Sequence, residues 1–314
     1  MSLLTKFGSF WGDIPQTSGQ IWWVSPSAAY TIENQAYAAA DGNDGKSPDR
    51  ALATITQAIT NATASNGDVI ILLPGTHTSA ANVAINKAGL TFFALHPSAR
   101  FSPFVRPNPL ASKINWTSTF AGNAVTVTVA DTTFVGINCI PVTARSFCGF
   151  SAAAARMTVV DCALTMSAVA STSTKGFVAS GAANLVSFIN LSVLNTIGAQ
   201  GPCLDLTGCT HFLVDKPTVL VDTGSWAIAA QMGAGSQGLI RDGSWNCSGT
   251  AMTIGIDGTG VAAAKAVVIQ GNQVGVSPGA GFVKNFTSTD AEVGFNYIAT
   301  IGAGTGGTLV TITA

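Results

Sequence analysis

The pattern of apolar and polar positions along this chain changes character once. Leu52, Ile55, Ile59 and Ala62 recur at helical spacing behind Ser47-Pro48, a capping residue and a first-turn proline, and Gly67 breaks the period. This predicts one amphipathic helix over about residues 48–64. Val69 to Leu73 follows without a polar residue and is closed by Pro74-Gly75, the pattern of a strand buried on both faces. No helical period returns downstream.

Short apolar phrases recur there instead. One set is Phe147-Cys148, Gly176-Phe177-Val178, Cys203-Leu204-Asp205-Leu206, Trp226-Ala227-Ile228, Met252-Thr253-Ile254 and Gly281-Phe282-Val283. A second begins at Phe134, Thr158, Ser187, Phe212, Gly238, Val267 and Val293, and each member is followed within a few residues by Asn138, Asp161, Asn190, Asp215, Asp242, Asn272 or Asn296. The spacing is about 23 to 30 residues, a solenoid period. A coil with one turn per repeat accounts for it, because strands must stack while the loops between them can vary in length. The Asn/Asp positions fit bends that need a left-handed backbone and a local hydrogen bond, and on successive rungs they would form a polar ladder.

The sequence over residues 41–78 also resembles a known group. Gly42-Asn43-Asp44-Gly45-Lys46-Ser47-Pro48, then Ala53-Thr54-Ile55-Thr56-Gln57-Ala58-Ile59, then Gly67-Asp68-Val69-Ile70-Ile71-Leu72-Leu73-Pro74-Gly75-Thr76-His77-Thr78 is similar to the N-terminal opening of pectate-lyase-like right-handed parallel β-helices. With Ile21-Trp22-Trp23-Val24 upstream, it is also similar to β-helix proteins of phage particles. The resemblance implies an all-β, single-stranded right-handed parallel β-helix with a short α-helix over its N-terminal end. The expected organisation is an arm over residues 1–19 and one β-helix domain over 20–314, with Ser25 to Ala40 a small-residue connector and 96–112 a proline-broken excursion. Thr308 to Thr313 reads as a final alternating strand whose edge needs a cover.

Composition narrows the function classes. Only 9% of residues are charged, with 14 Lys+Arg against 15 Asp+Glu, so there is no polyelectrolyte face for nucleic acid. No apolar run reaches the roughly 18 residues of a membrane span, and Lys6 and Asp13 interrupt the N-terminus too early for a secretory signal. The 6 cysteines form no CxxC pair and have no histidine at ligand spacing, which makes them core fillers kept reduced in a cytoplasm. No cofactor and no metal are implied.

Candidate chemistry is sparse. Asp215 and Asp242 are the ladder neighbours that fit a carboxylate pair one rung apart, although Asn190 and Asn272 beside them argue for turns. Asp205, between Leu204 and Leu206, points outward with Val178 and Ala229 as its expected neighbours. Arg241 beside Asp242 reads as a surface pair, and His77, His96 and His211 fall in unrelated segments, His77 at the edge of the capping unit. The calcium-binding acids and basic residue that lyases of the resembling group use are not found. Phe7, Phe10 and Trp11 in the arm, and Arg100, Phe101, Phe104 and Arg106 in the excursion, are either folded back or offered to another protein.

The expectation is therefore a non-enzymatic protein of the virion surface, made in the host cytoplasm: a capsid decoration or cement subunit of a bacteriophage. Its partners would be two further copies in a homotrimer, through Ala/Val/Thr-rich lateral faces carrying Val178, Ala229 and the Leu309-Val310-Ile312 strand, and the major capsid protein or another virion protein. The alternative is a tailspike-like β-helix that binds or cleaves polysaccharide.

Overall fold

The computed structural model describes residues 17–32, 35–95, 114–141, 146–166, 174–179, 181–195, 201–221, 225–233, 235–247, 251–258, 261, 267–276, 281–284, 286, 291–294, 296–300 and 308–309. They wind as a right-handed parallel β-helix with one short α-helix. Each turn visits three sheets in the same order: Val69–Leu72 lies in the first, Gly75–Ser79 in the second, Val83–Ile85 in the third, and Thr91–Ala94 is back in the first. The first and second sheets have 10 strands each and the third has 8.

The two recurring sets of phrases are the first and third sheets. The second sheet escaped the sequence reading because its strands follow the first-sheet strands almost at once. Ala163–Met166, for example, starts three residues after Thr158–Val160 ends and reads as that strand's tail.

Alternation of side chains fills the coil. Phe92, Phe134, Val159 and Phe188 share one inward column of the first sheet, Trp116, Cys139, Leu164 and Val193 one of the second, and Val125, Cys148, Phe177 and Leu204 one of the third. All are essentially inaccessible and belong to a single cluster. Their rings stack from rung to rung: Phe92 on Phe134 at 5.4 Å, Trp116 edge-on to Phe147 at 5.9 Å, Phe177 edge-on to Phe188 at 5.3 Å. Cys139, Cys148, Cys162, Cys203 and Cys209 are free and buried in this coil, and burial pushes the Cys162 and Cys203 thiols up to about 12.

The bend from first to second sheet is made at a left-handed position, held by Gly136, Asp161, Asn190, Lys216, Asp242 and Gly271. From Gly136 to Asp242 each amide there donates to the next rung, as from Asp161 to Ile189 O at 3.0 Å and from Asn190 to Asp215 O at 2.8 Å. The Asn/Asp ladder is thus right for Asp161, Asn190 and Asp242 and out of step elsewhere. Asp215 precedes the bend. Asn272 follows it and points into the coil, where its Oδ1 accepts from Trp245 Nε1 at 3.1 Å and its Nδ2 donates to Asn296 Oδ1 at 2.9 Å.

The helix is shorter than its sequence period. It spans Ile55–Asn61, capped by Thr54, whose side chain accepts from the Gln57 amide, and Ser47-Pro48 opens only a separate 3-10 turn over Pro48–Arg50. The cause is Asp41, whose Oδ1 accepts from the amides of Ala53 and Thr54 while Leu52 is bridged to Val24, so the chain is held extended up to the cap. Ile55, Ala58, Ile59 and the preceding Leu52 still face the coil core and close its N-terminal end.

Residues 25–40, expected as a plain connector, contain the antiparallel hairpin Ala29–Ile32 with Gln35–Ala38. Its Tyr30 joins Trp23, Ile71 and Leu73 in a second apolar cluster on the outer side of the first sheet. That explains why Val69–Leu72 is buried on both faces. At the other end Thr308–Leu309 pairs antiparallel with Tyr297-Ile298. The remainder of the expected final strand, with Val310 and Ile312, lies outside the described residues.

Candidate functional site

Outward positions of the third sheet turn polar from Asp205 onward. The register runs Ala84, Thr126, Gly149, Val178, Asp205, Gln231, Asp257, Lys284. Asp205 and Asp257 are 5% and 3% exposed, which is unusual for carboxylates that do not point into a core. Gln231 stands between them on the intervening rung and is half-buried.

Asp205 is anchored by three contacts. Its Oδ2 lies 2.6 Å from the Nζ of Lys175, and its Oδ1 accepts from the Thr207 hydroxyl at 2.7 Å and from the Thr207 amide at 3.3 Å. The Thr207 contacts turn the chain out of the strand Leu204–Leu206, while Lys175 reaches in from the rung before. Cys209 is close enough to feel the same carboxylate: burial first, then the Asp205 charge, push its thiol up to about 12. Two carboxylates and an amide on three successive rungs can exchange hydrogen bonds with one bound molecule, and the Lys175 ammonium balances one of the charges.

The sequence reading reached Asp205 and missed its companions. Ala229 was expected beside Asp205, but Ala229 is inaccessible inside the coil and Gln231 is the true neighbour. The reason is strand length. Leu204–Leu206 has 3 residues and Ser225–Met232 has 8, so aligning these two by their first apolar residues shifts the register. In the observed register, Leu204-Asp205-Leu206 lies beside Ala230-Gln231-Met232, and Ile256-Asp257 beside Ala230-Gln231.

The other predicted residues do not form a site. Asp215 is in register with Arg241, not with Asp242, and takes the Arg241 Nε at 2.9 Å. Arg241 was expected to pair with Asp242; instead Asp242 occupies the left-handed bend, exposed. His77 lies buried in Gly75–Ser79, the N-terminal edge strand of the second sheet, with Nε2 2.9 Å from Leu73 O, and burial lowers its pKa to about 4 against that hydrogen bond. His211 is exposed, with Nδ1 2.7 Å from Asn184 Oδ1. Among the described residues no three His, Cys, Asp or Glu gather as a metal site, and no helix is long and apolar enough to cross a membrane. Phe7, Phe10, Trp11, His96, Arg100, Phe101, Phe104 and Arg106 lie outside the described residues.

The sequence matches no protein-family model and no curated protein. Solved structures do match. The pectin methylesterase of Aspergillus niger superimposes with a TM-score of 0.56 at 12% identity, over 91% of this chain and 87% of that one. The pectin methylesterase of Erwinia chrysanthemi gives 0.54 at 10% identity, over 96% and 94%. An open reading frame product of Geobacillus virus E2 gives 0.38 at 11% identity, over 81% and 59%, too distant to build on. At such identities the likeness establishes the fold, a pectate-lyase-like parallel β-helix. It also overturns the expectation that the chain is not an enzyme: the neighbours are enzymes on this coil, so the fold and the lack of a recognised motif give no ground for that exclusion.

Proposed function

We propose that this β-helix binds and cleaves polysaccharide on the outer face of its third sheet. The observation that carries the reading is the Asp205, Gln231, Asp257 column, two shielded carboxylates flanking an amide at positions the coil core does not use. Polysaccharide is the substrate class because the solved neighbours are pectin-processing enzymes and a strand face with a regular rung repeat suits an extended chain.

The spacing selects a reaction. Asp205 and Asp257 are two rungs apart, about 10 Å at the backbone. Inverting glycosidases hold their acid and base about 6.5–9.5 Å apart, whereas retaining ones need about 5 Å, the distance of adjacent rungs. Asp205, held by Lys175 and Thr207, is assigned as the base that takes a proton from the attacking water, and Asp257 as the acid that protonates the leaving oxygen. Gln231, between them, orients the water. The test is to incubate the protein with neutral and acidic polysaccharides and follow reducing ends and anomeric configuration. Inverted products that vanish in Asp257→Asn support the reading. Ester release without chain cleavage would replace it with an esterase, and no product with any polysaccharide would remove it.

A second reading is favoured by a different face. The second sheet carries no charged residue in any of its strands, which suits a subunit packed against other proteins. On this reading the chain is a decoration or cement subunit on a bacteriophage surface, contacting the capsid, and the glycan site is a feature of a particle component. Mass spectrometry of purified particles tests it: recovery in stoichiometric amount supports it, and absence from particles of the virus that encodes it ends it.

A further inference from the structure

Among the described residues two large apolar side chains are exposed, Phe120 and Leu185. Phe120 is 40% exposed and is not part of the coil core. It lies in the bend that leads from Ile114–Ser118 in the second sheet to Val125–Val127 in the third, at the border of the face that carries Asp205. Two glycines show what surrounds it. A Cβ on Gly122 would run into the Phe120 ring, so the ring rests against the bare backbone of its own bend. A Cβ on Gly149 would run into the Asn123 side-chain amide, so that amide covers the outward position of the following rung. The bend is tied down by Asn82, whose Nδ2 donates to Asn123 O at 2.8 Å and to Thr126 Oγ1 at 2.8 Å. From Gly149 the outward register passes through Val178 to Asp205, two rungs or about 10 Å away.

We propose that Phe120 and Asn123 form a sugar-binding subsite that grips the polysaccharide on the N-terminal side of Asp205. The inference rests on the polysaccharide reading and deepens it by naming a contact outside the carboxylate column. Chemistry is the first argument. A sugar ring has an apolar face of C–H groups and a rim of hydroxyls, so it is matched by a flat aromatic surface beside a group that both donates and accepts hydrogen bonds. Phe120 supplies the first and the Asn123 amide the second. Continuity is the other argument. The amide stands over the same outward register that holds Asp205 two rungs on, so one extended chain along the face meets both. No charged side chain enters at Thr126, Gly149 or Val178, so this subsite reads hydroxyls and ring faces, and selection for sugar carboxylates is left to the charged rungs beyond.

The experiment is electrophoresis in native gels containing xylan, soluble β-glucan or polygalacturonate, where binding retards the protein. The wild type is compared with Phe120→Leu, Phe120→Tyr and Leu185→Ala. Leucine keeps an apolar side chain in the bend and removes the flat ring, so it separates stacking from folding, and Leu185, in the bend from the third sheet to the first, is the control. The proposal expects the wild type to be retarded by at least one of the three polymers. It expects the dissociation constant to rise about 3- to 10-fold in Phe120→Leu and to stay unchanged in Phe120→Tyr and Leu185→Ala. Full retardation of Phe120→Leu, an equal loss in Leu185→Ala, or no retardation of the wild type overturns it. Should Phe120→Leu unfold, Asn123→Ala decides: weaker retardation supports the subsite and unchanged retardation overturns it. The two readings fail separately. Retardation that depends on Phe120 without any cleavage keeps the subsite and removes the catalysis, whereas cleavage with retardation indifferent to Phe120 keeps the catalysis and removes the subsite.

Discussion

The Nζ of Lys175 stands 2.6 Å from the Oδ2 of Asp205, reaching from the previous rung to a carboxylate whose side chain is 7% exposed. Removing the ammonium leaves a shielded charge with only the Thr207 contacts. Lys175→Met should therefore cost about 1–3 kcal/mol, and adding Asp205→Asn should recover part of it. Urea unfolding of the two variants measures both terms. An unchanged midpoint in the single variant would mean the pair contributes nothing.

His77 makes stability depend on pH in a defined window. Its ordinary value of 6.5 falls to about 4 in the folded state, so the unfolded chain binds the proton more readily. Stability from this group is full above pH 6.5 and is lost as pH falls toward 4, by about 3 kcal/mol in all. His77→Gln should flatten the thermal midpoint over that window. A variant with the same pH slope as wild type would assign the loss to other groups.

Asp68 fastens the N-terminal strand and the helix to the coil. Burial pushes its pKa up, but hydrogen bonds from the Gln20 and Thr63 amides, Trp22 Nε1 and Asn66 outweigh this and hold it below the usual value. A depressed carboxylate contributes stability above its unfolded value and loses it in stronger acid, below the His77 window. Asp68→Ala orphans those donors at about 1 kcal/mol or more each. Hydrogen exchange at Gln20 and Thr63 should accelerate well before the distal rungs are affected, and uniform acceleration would show that the cap is not a separate unit.

Gly243 keeps room for the polar network inside the C-terminal rungs. A Cβ there would stand 2.6 Å from Trp245 Nε1 and 2.8 Å from Asn272 Oδ1. Gly243→Ala should force the indole off its acceptor and cost about 1–3 kcal/mol, read as a lower thermal midpoint with altered Trp fluorescence. An unperturbed spectrum would show that the network yields without breaking.

How much of this could be read in the sequence depended on what fixed each feature. The coil was legible because stacked residues such as Phe134, Val159 and Phe188 must repeat to fill it. The helix start was not, because Asp41 and the Val24 to Leu52 bridge, both set by tertiary contacts, hold the chain extended as far as Thr54. Asp205 was recognised as outward by its apolar neighbours, yet Gln231 and Asp257 were hidden because Leu204–Leu206 pairs with the end of the much longer Ser225–Met232, so their first apolar residues do not mark the register. Asp215 and Asp242 looked like a pair because both follow an apolar run, and one residue of offset places the first against Arg241 and the second in the bend.

The central claim is that the working surface is the third-sheet column and not the Asx bends. The direct measurement is the rate of polysaccharide cleavage by Asp257→Asn and by Asp242→Asn, each shown by thermal denaturation to be as folded as wild type. The account predicts a loss of about 10²–10⁴-fold for Asp257→Asn and an unchanged rate for Asp242→Asn. Full activity in Asp257→Asn, or activity lost only in Asp242→Asn, would contradict it.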